Sequence, residues 1–198
     1  MTMQTSICVS ILAAGRSSRL GQPKQLVQFQ GEPLLRRQCR TALAAEVGPV
    51  SVVLGSSAQE CAAVLADQPV DVVVNPNWEE GLGSSIACAA LHAVKAQARG
   101  LLLILGDQYR LTPADLQLLH RRWLETEPAA CVAEYGHDFG PPVLFSSSCF
   151  VGLLELTGEQ GARRFLNSLP SHEWKRYSMP NAQADLDSPS DLAILGVS

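Results

Sequence analysis

Two rhythms of apolar residues run along this chain. Short, fully apolar runs recur at Ile7 to Leu12, Val50 to Leu54, Val70 to Val74 and Leu101 to Leu105. Such runs suit strands, and the five consecutive aliphatics of the last one suit a central parallel strand buried on both faces. Between them the pattern turns helical. The spacing predicts helices over Leu34 to Glu46, from Ser57 through Leu65, from Gly81-Ser85 to about Ala98, and from Thr112 to Glu125. Ser57-Ala58-Gln59-Glu60 and Thr112-Pro113-Ala114-Asp115 read as helix caps, the first as a capping box and the second with proline at the first helical position. Ala129 to Ala133, Pro142 to Phe145 and Trp174 to Met179 read as further strands. Cys149 to Leu156 and Ala162 to Leu169 read as helices, and Ser188-Pro189-Ser190-Asp191 as the cap of a terminal one.

Strands alternating with helices imply βαβ crossovers, hence a mostly parallel, Rossmann-like sheet covered on both faces. The expectation is one three-layer α/β/α domain over residues 1–198. Ligands of such sheets bind outside the carboxyl ends of the strands. Two polar features fall there: the loop after Leu12, and Asp107 after Leu105.

Composition narrows the function. Net charge is −4 and the pI about 5.5, which gives no general attraction to nucleic acid or to an anionic membrane. No apolar run approaches the roughly 20 residues that cross a bilayer, and Met1 to Ser6 lacks the pattern of a signal peptide. Six cysteines contain no C-x-x-C pair, so neither a structural zinc site nor a redox motif is supported. A reduced, cytoplasmic setting is the simplest expectation.

The densest chemistry lies in Ile7 to Lys24, ICVSILAAGRSSRLGQPK. A buried strand ends at Ala13-Ala14-Gly15, small and polar residues follow, and Arg19 and Lys24 flank Gly21. Glycine and serine let backbone N–H groups approach an anion, and the two cations add charge. The spacing is neither the Walker A pattern nor G-x-G-x-x-G, and an ordinary strand–turn–helix junction accounts for it equally well. Asp107, directly after an apolar strand, suits a hard cation such as Mg2+, and also an ordinary turn. If Ala184 to Pro189 is extended, Asp185 and Asp187 project to one side. Gly81 to Ser85 sits at a helix start, where polar partners or plain capping explain the serines.

LAAG-x-SSR-L-G-x-PK-x-L, continuing to Gly31 and Leu34-Leu35, resembles the opening signature of the MobA-like nucleotidyltransferases, closest to the molybdenum cofactor cytidylyltransferase branch. The resemblance implies a fold of the nucleotide-diphospho-sugar transferase type. It assigns Arg19 and Lys24 to the triphosphate and the backbone from Leu12 and Ala13 through Ala14 to Gly15 to the nucleotide. Gly81, Ser84 and Ser85 would meet ribose or base. Gly106-Asp107-Gln108 is similar to a family motif whose Asp binds Mg2+, with Tyr109-Arg110 in place of the usual proline. Asp185, with Asp187 in reserve, would add a second metal carboxylate. Gly140-Pro141-Pro142 stands where the family commonly has Gly-His-Pro. Arg163, in Gly158 to Arg163, is open between a substrate phosphate and an exposed helix position.

The implied reaction is transfer of CMP from CTP to the phosphate of molybdopterin, with Mg2+ as cofactor, pyrophosphate as co-product, and a molybdenum hydroxylase or its chaperone as downstream partner. CTP rests on Ala14, where guanylyltransferase relatives carry glycine. Alternatives are GTP, a sugar or alcohol phosphate as acceptor, and a non-catalytic carrier of the molybdenum cofactor.

Overall fold

A computed structural model describes residues 7–18, 20–186 and 191–192. Arg19, Asp187 and the cap expected at Ser188 to Ser190 lie outside the described residues.

The chain runs β1 (Cys8–Ala13), β2 (Gln28–Phe29), β3 (Glu32–Pro33), α1 (Leu34–Ala44), β4 (Val50–Leu54), α2 (Ala58–Ala63), β5 (Asp71–Val74) and α3 (Leu82–Lys95). It continues through β6 (Gly100–Leu105), α4 (Pro113–Thr126), β7 (Ala130–Tyr135), β8 (Asp138–Ser146), α5 (Phe150–Leu154), α6 (Ala162–Ser168) and β9 (Trp174–Ser178). Seven strands form one sheet in the order β5-β4-β1-β6-β8-β7-β9, and β2 pairs with β3 in a separate hairpin. All neighbours run parallel except β8, which is antiparallel to both β6 and β7. The reason is local. Only Gly136 and His137 separate the paired Tyr135 and Asp138, and two residues can join only antiparallel strands.

Alternate residues of the central strands feed two cores. Ile7, Val9, Ile11, Leu102 and Ile104 pack with Leu35 of α1 and Leu116, Leu119 and Trp123 of α4. Cys8, Leu12, Leu101 and Leu103 pack on the other face with Ile86 and Ala89 of α3, Leu153 of α5 and Leu166 of α6. Two-sided burial is what continuous aliphatic runs require. This is the expected three-layer, mostly parallel α/β fold.

Local expectations divide. The Thr112 cap forms in full, with reciprocal bonds between Thr112 and Asp115. The Ser57 capping box does not: Ser57 makes no side-chain cap bond, and the helix that follows covers only six residues. The helix expected over Cys149 to Leu156 is a 3-10 turn, Ser147–Cys149, followed by α5. Strand β5 lies at the sheet edge with Val72 and Val74 exposed. No helix among the described residues is long and apolar enough to cross a membrane.

Candidate active site

Register decides where the loops meet. Leu12 of β1 pairs with Leu105 of β6, and Ala13 with Leu54 of β4. The loops after β1 and β6 therefore leave the same edge of the sheet. Gly106 N–H donates to the Leu12 carbonyl at 3.0 Å, which binds the second loop to the first. Above that edge opens a cleft of about 720 Å3.

The first loop is held from behind by Gln25, a residue the sequence reading passed over. Its side chain is 3% exposed. Its Nε2 donates to the carbonyls of Ala13 at 2.9 Å and Gly15 at 3.0 Å, and its Oε1 accepts from Ser17 Oγ at 3.3 Å. Ser17 Oγ in turn accepts from the Lys24 N–H at 3.0 Å. Two carbonyls that would repel an anion are thus engaged by protein donors instead. A Cβ built on Gly15 meets nothing within 4 Å. The packing of the protein does not demand glycine there, so the missing side chain leaves space in the cleft itself.

Lys24 sits in a 3-10 turn, Lys24–Leu26, and its ammonium ion-pairs with Asp107 Oδ2. The Asp107 side chain is 7% exposed, and its Oδ1 is buried with no hydrogen-bond partner among the described residues. A buried carboxylate oxygen without a donor is costly unless something positive completes it. Asp185 lines the same cleft. Its segment is tied to the second loop by the Leu186 N–H, which donates to the Asp107 carbonyl at 3.2 Å. No group of three or more His, Cys, Asp or Glu side chains forms a ready-made metal cage among the described residues. One or two carboxylates, completed by phosphate oxygens and water, are the donor set Mg2+ commonly takes. The residues present fit such an ion.

The opposite wall comes from the start of α3. Gly81 has φ +108°, and a Cβ on it would lie 2.6 Å from the Gly158 backbone. Gly83 N–H donates to the Gly158 carbonyl at 2.9 Å. This close approach of two backbones brings Glu159 to the rim of the cleft beside Leu82 and Ser85. Ser85 is buried and lines the cleft; Ser84 does not line it. The Ser84 hydroxyl is engaged locally: its one proton lies within reach of the carbonyls of Asn77 at 2.9 Å and Gly81 at 2.8 Å, and its oxygen accepts from Asn75 Nδ2 at 2.9 Å. Trp78 and Glu79 complete the mouth. Arg16 bonds Glu79 at 3.0 Å and stacks over the Trp78 ring at 5.2 Å.

The structure therefore brings together Leu12, Ala13, Ala14, Gly15, Lys24, Gly81, Ser85, Asp107 and Asp185. Arg16, Gln25, Trp78, Glu79 and Glu159 share the cleft with them without having been expected there. Trp78 and Glu79, just before Gly81, carried the one readable signal, an aromatic and an acid at a helix start. Arg163 is not among the lining residues. It pairs with Asp138 and packs over the Phe139 ring at 4.8 Å. Tyr109, in the place of the family's proline, packs edge-on against Phe29 at 5.5 Å, within a small cluster that includes Leu20, Val27, Leu34 and Leu186.

Known proteins resemble the chain throughout this region. The family model described as MobA-like NTP transferase domain matches residues 9–174. The chain is 33% identical to the purine catabolism protein PucB of Bacillus subtilis, over 79% of this chain and 78% of that one. It is 32% identical to the nicotine blue oxidoreductase of Paenarthrobacter nicotinovorans, over 82% and 83%. It is 26% identical to the molybdenum cofactor cytidylyltransferase of Escherichia coli, over 92% and 91%. Among solved structures, Rv0371c of Mycobacterium tuberculosis superposes with a TM-score of 0.83 at 30% identity, covering 96% of this chain and 98% of that one. Its complex with manganese superposes at 0.78 with 29% identity and the same coverage.

Proposed function

The chain belongs to the MobA-like NTP transferase family, and from that premise we propose a Mg2+-dependent nucleotidyltransferase that moves CMP from CTP onto the phosphate of molybdenum-molybdopterin. The observation that carries this reading is the Lys24–Asp107 pair, set in one cleft with the backbone of Ala13, Ala14 and Gly15.

In the reaction an oxygen of the acceptor phosphate attacks the α-phosphorus of the nucleotide. The bond from that phosphorus to the bridging oxygen breaks, and its electron pair leaves with pyrophosphate. Negative charge grows on the β- and γ-phosphates, so a fixed ammonium from Lys24 lowers the barrier with little reorganisation. The proposal gives Arg19 the same task. Leu12 to Gly15 would position the nucleotide, with Gly81, Ser84 and Ser85 towards ribose and base. Asp107 and Asp185, with Asp187, would hold the metal, which when bound neutralises charge on the transferring phosphates. The bare Oδ1 of Asp107 supports that assignment, as does the manganese complex of Rv0371c. No enzyme nucleophile is required, and the remaining rate comes from alignment.

Cytosine is proposed because Ala14 lines the cleft, and an alanine there leaves less room for a purine than the glycine of guanylyltransferase relatives. The Escherichia coli cytidylyltransferase supports the acceptor. A molybdenum hydroxylase or its chaperone would receive the product. Pyrophosphate release from CTP, GTP, ATP and UTP, each with and without Mg2+ and with molybdopterin as acceptor, tests the reading. Magnesium-dependent release from CTP is expected. A preference for GTP overturns the base assignment, and silence with all four favours a cofactor carrier without catalysis.

A further inference from the structure

Gln108 has no part in the reaction as written, yet it is among the most fully engaged side chains near the cleft. It is 2% exposed. Its Oε1 accepts from the Leu105 N–H at 3.1 Å, at the end of β6. Its Nε2 donates to the Pro141 carbonyl at 2.7 Å and to the Ala182 carbonyl at 2.8 Å. Its own carbonyl accepts from Gln38 of α1. One planar amide therefore joins the strand that carries Asp107, an early stretch of β8, and the 3-10 turn Pro180–Gln183, two residues before Asp185. Only a primary amide offers two donors and an acceptor in one plane for such a junction. The partners also fix its orientation, because two carbonyls face the nitrogen and one N–H faces the oxygen.

We propose that Gln108 is a positioning residue that sets the spacing between the carboxylates of Asp107 and Asp185, and through it the affinity of the cleft for a divalent cation. The inference rests on the metal role given above to those two residues. Without the amide, the Pro180–Gln183 turn loses its bond to the end of β6, while the stretch after it keeps the Leu186 N–H bond to the Asp107 carbonyl at 3.2 Å. Asp185, between that bond and the released turn, would then shift relative to Asp107, while the first loop, anchored independently by Gln25, would keep its hold on nucleotide. Supporting groups behind metal ligands characteristically change affinity about 10- to 100-fold.

The experiment is a Mn2+ titration followed by water-proton relaxation, on the full chain saturated with α,β-methylene-CTP. Wild type and Gln108→Leu are compared in the native background and in Asp185→Asn. Gln108→Leu is expected to weaken Mn2+ about tenfold, with analogue affinity changed less than about twofold, and to have no further effect once Asp185 is replaced. Gln108→Glu keeps the bond from Leu105 and sets an acceptor against two carbonyls. It is expected to act in the same direction and replaces the leucine variant if that one does not fold. Leu119→Ala, a core variant away from the cleft, controls for general destabilisation and should bind Mn2+ as wild type does. Unchanged Mn2+ affinity in both Gln108 variants overturns the proposal, as does an equal loss in Leu119→Ala or an undiminished effect in Asp185→Asn. Absence of a Mn2+ complex in wild type is a different failure: it overturns the nucleotidyltransferase reading itself.

Discussion

Lys24 and Asp107 are 83 residues apart in sequence, yet their charged ends form a direct ion pair whose side chains are only 23% and 7% exposed. An ion pair this poorly solvated needs nearly complete compensation of its lost hydration. One oxygen of Asp107 obtains that from the ammonium, and the other obtains no hydrogen bond from any described residue. The pair thus leaves a buried negative atom facing a cleft. This is the polarity a metal–triphosphate complex would complete.

Replacement of Asp107 by alanine is expected to lower pyrophosphate release at least about a hundredfold, the scale of losing a principal electrostatic group in an active site. The fold should persist, because the Lys24 ammonium can reach solvent. Turnover and a thermal melt on the same preparation check both halves. Unchanged turnover would remove Asp107 from the mechanism.

Lys24→Met should separate two roles of the ammonium. Turnover is expected to fall by about two orders of magnitude through loss of phosphate stabilisation. Mn2+ binding to the nucleotide-free protein should become tighter, since a competing positive charge has left Asp107. Electron paramagnetic resonance of free Mn2+ reads the second effect without turnover, and weaker binding would contradict it.

Gly15→Leu probes the cleft rather than the fold. Open space surrounds the position of a Cβ there, and its φ lies outside the left-handed range. The melting temperature should stay within about 2 °C of wild type, as for a surface change of under about 0.5 kcal/mol. Nucleotide affinity, measured by calorimetry with the methylene analogue, should fall at least about tenfold. Unaltered affinity would place the nucleotide elsewhere.

The cysteines should be inert in the native protein. Burial pushes Cys39 and Cys131 up to about 12 and Cys61 and Cys149 to about 11, and it raises Cys8 and Cys88 as well. A raised value leaves the thiol protonated and unreactive at pH 8. Alkylation by iodoacetamide at that pH is expected to be slow at every thiol until denaturant is added. Cys88, the least buried, should lead. Rapid reaction of any other native thiol would refute the assignment of these residues to packing.

Much of this architecture was readable because its signals are local. Five aliphatics in a row suit a strand covered on both faces, and Thr112-Pro113-Ala114-Asp115 holds every atom its cap needs within one turn. Asp107 was readable for the same reason, as a carboxylate placed by the strand before it. Ser57-Ala58-Gln59-Glu60 has equally good local chemistry and still forms no cap: Ser57 sits at φ −120° and ψ 41°, and its hydroxyl makes no bond to the six-residue helix that follows.

The sequence alone determined the alternation of strands and helices, the edge of the sheet at which the cleft opens, and the two short segments that carry Lys24 and Asp107. Those properties depend on periodicity and on neighbours in the chain. Tertiary structure alone decided that Lys24 reaches Asp107, that Gln25 engages the loop carbonyls and that Gln108 binds three segments together. A buried amide takes whichever unpaired backbone groups the packed sheet brings within about 3 Å, and no spacing of letters records which those will be.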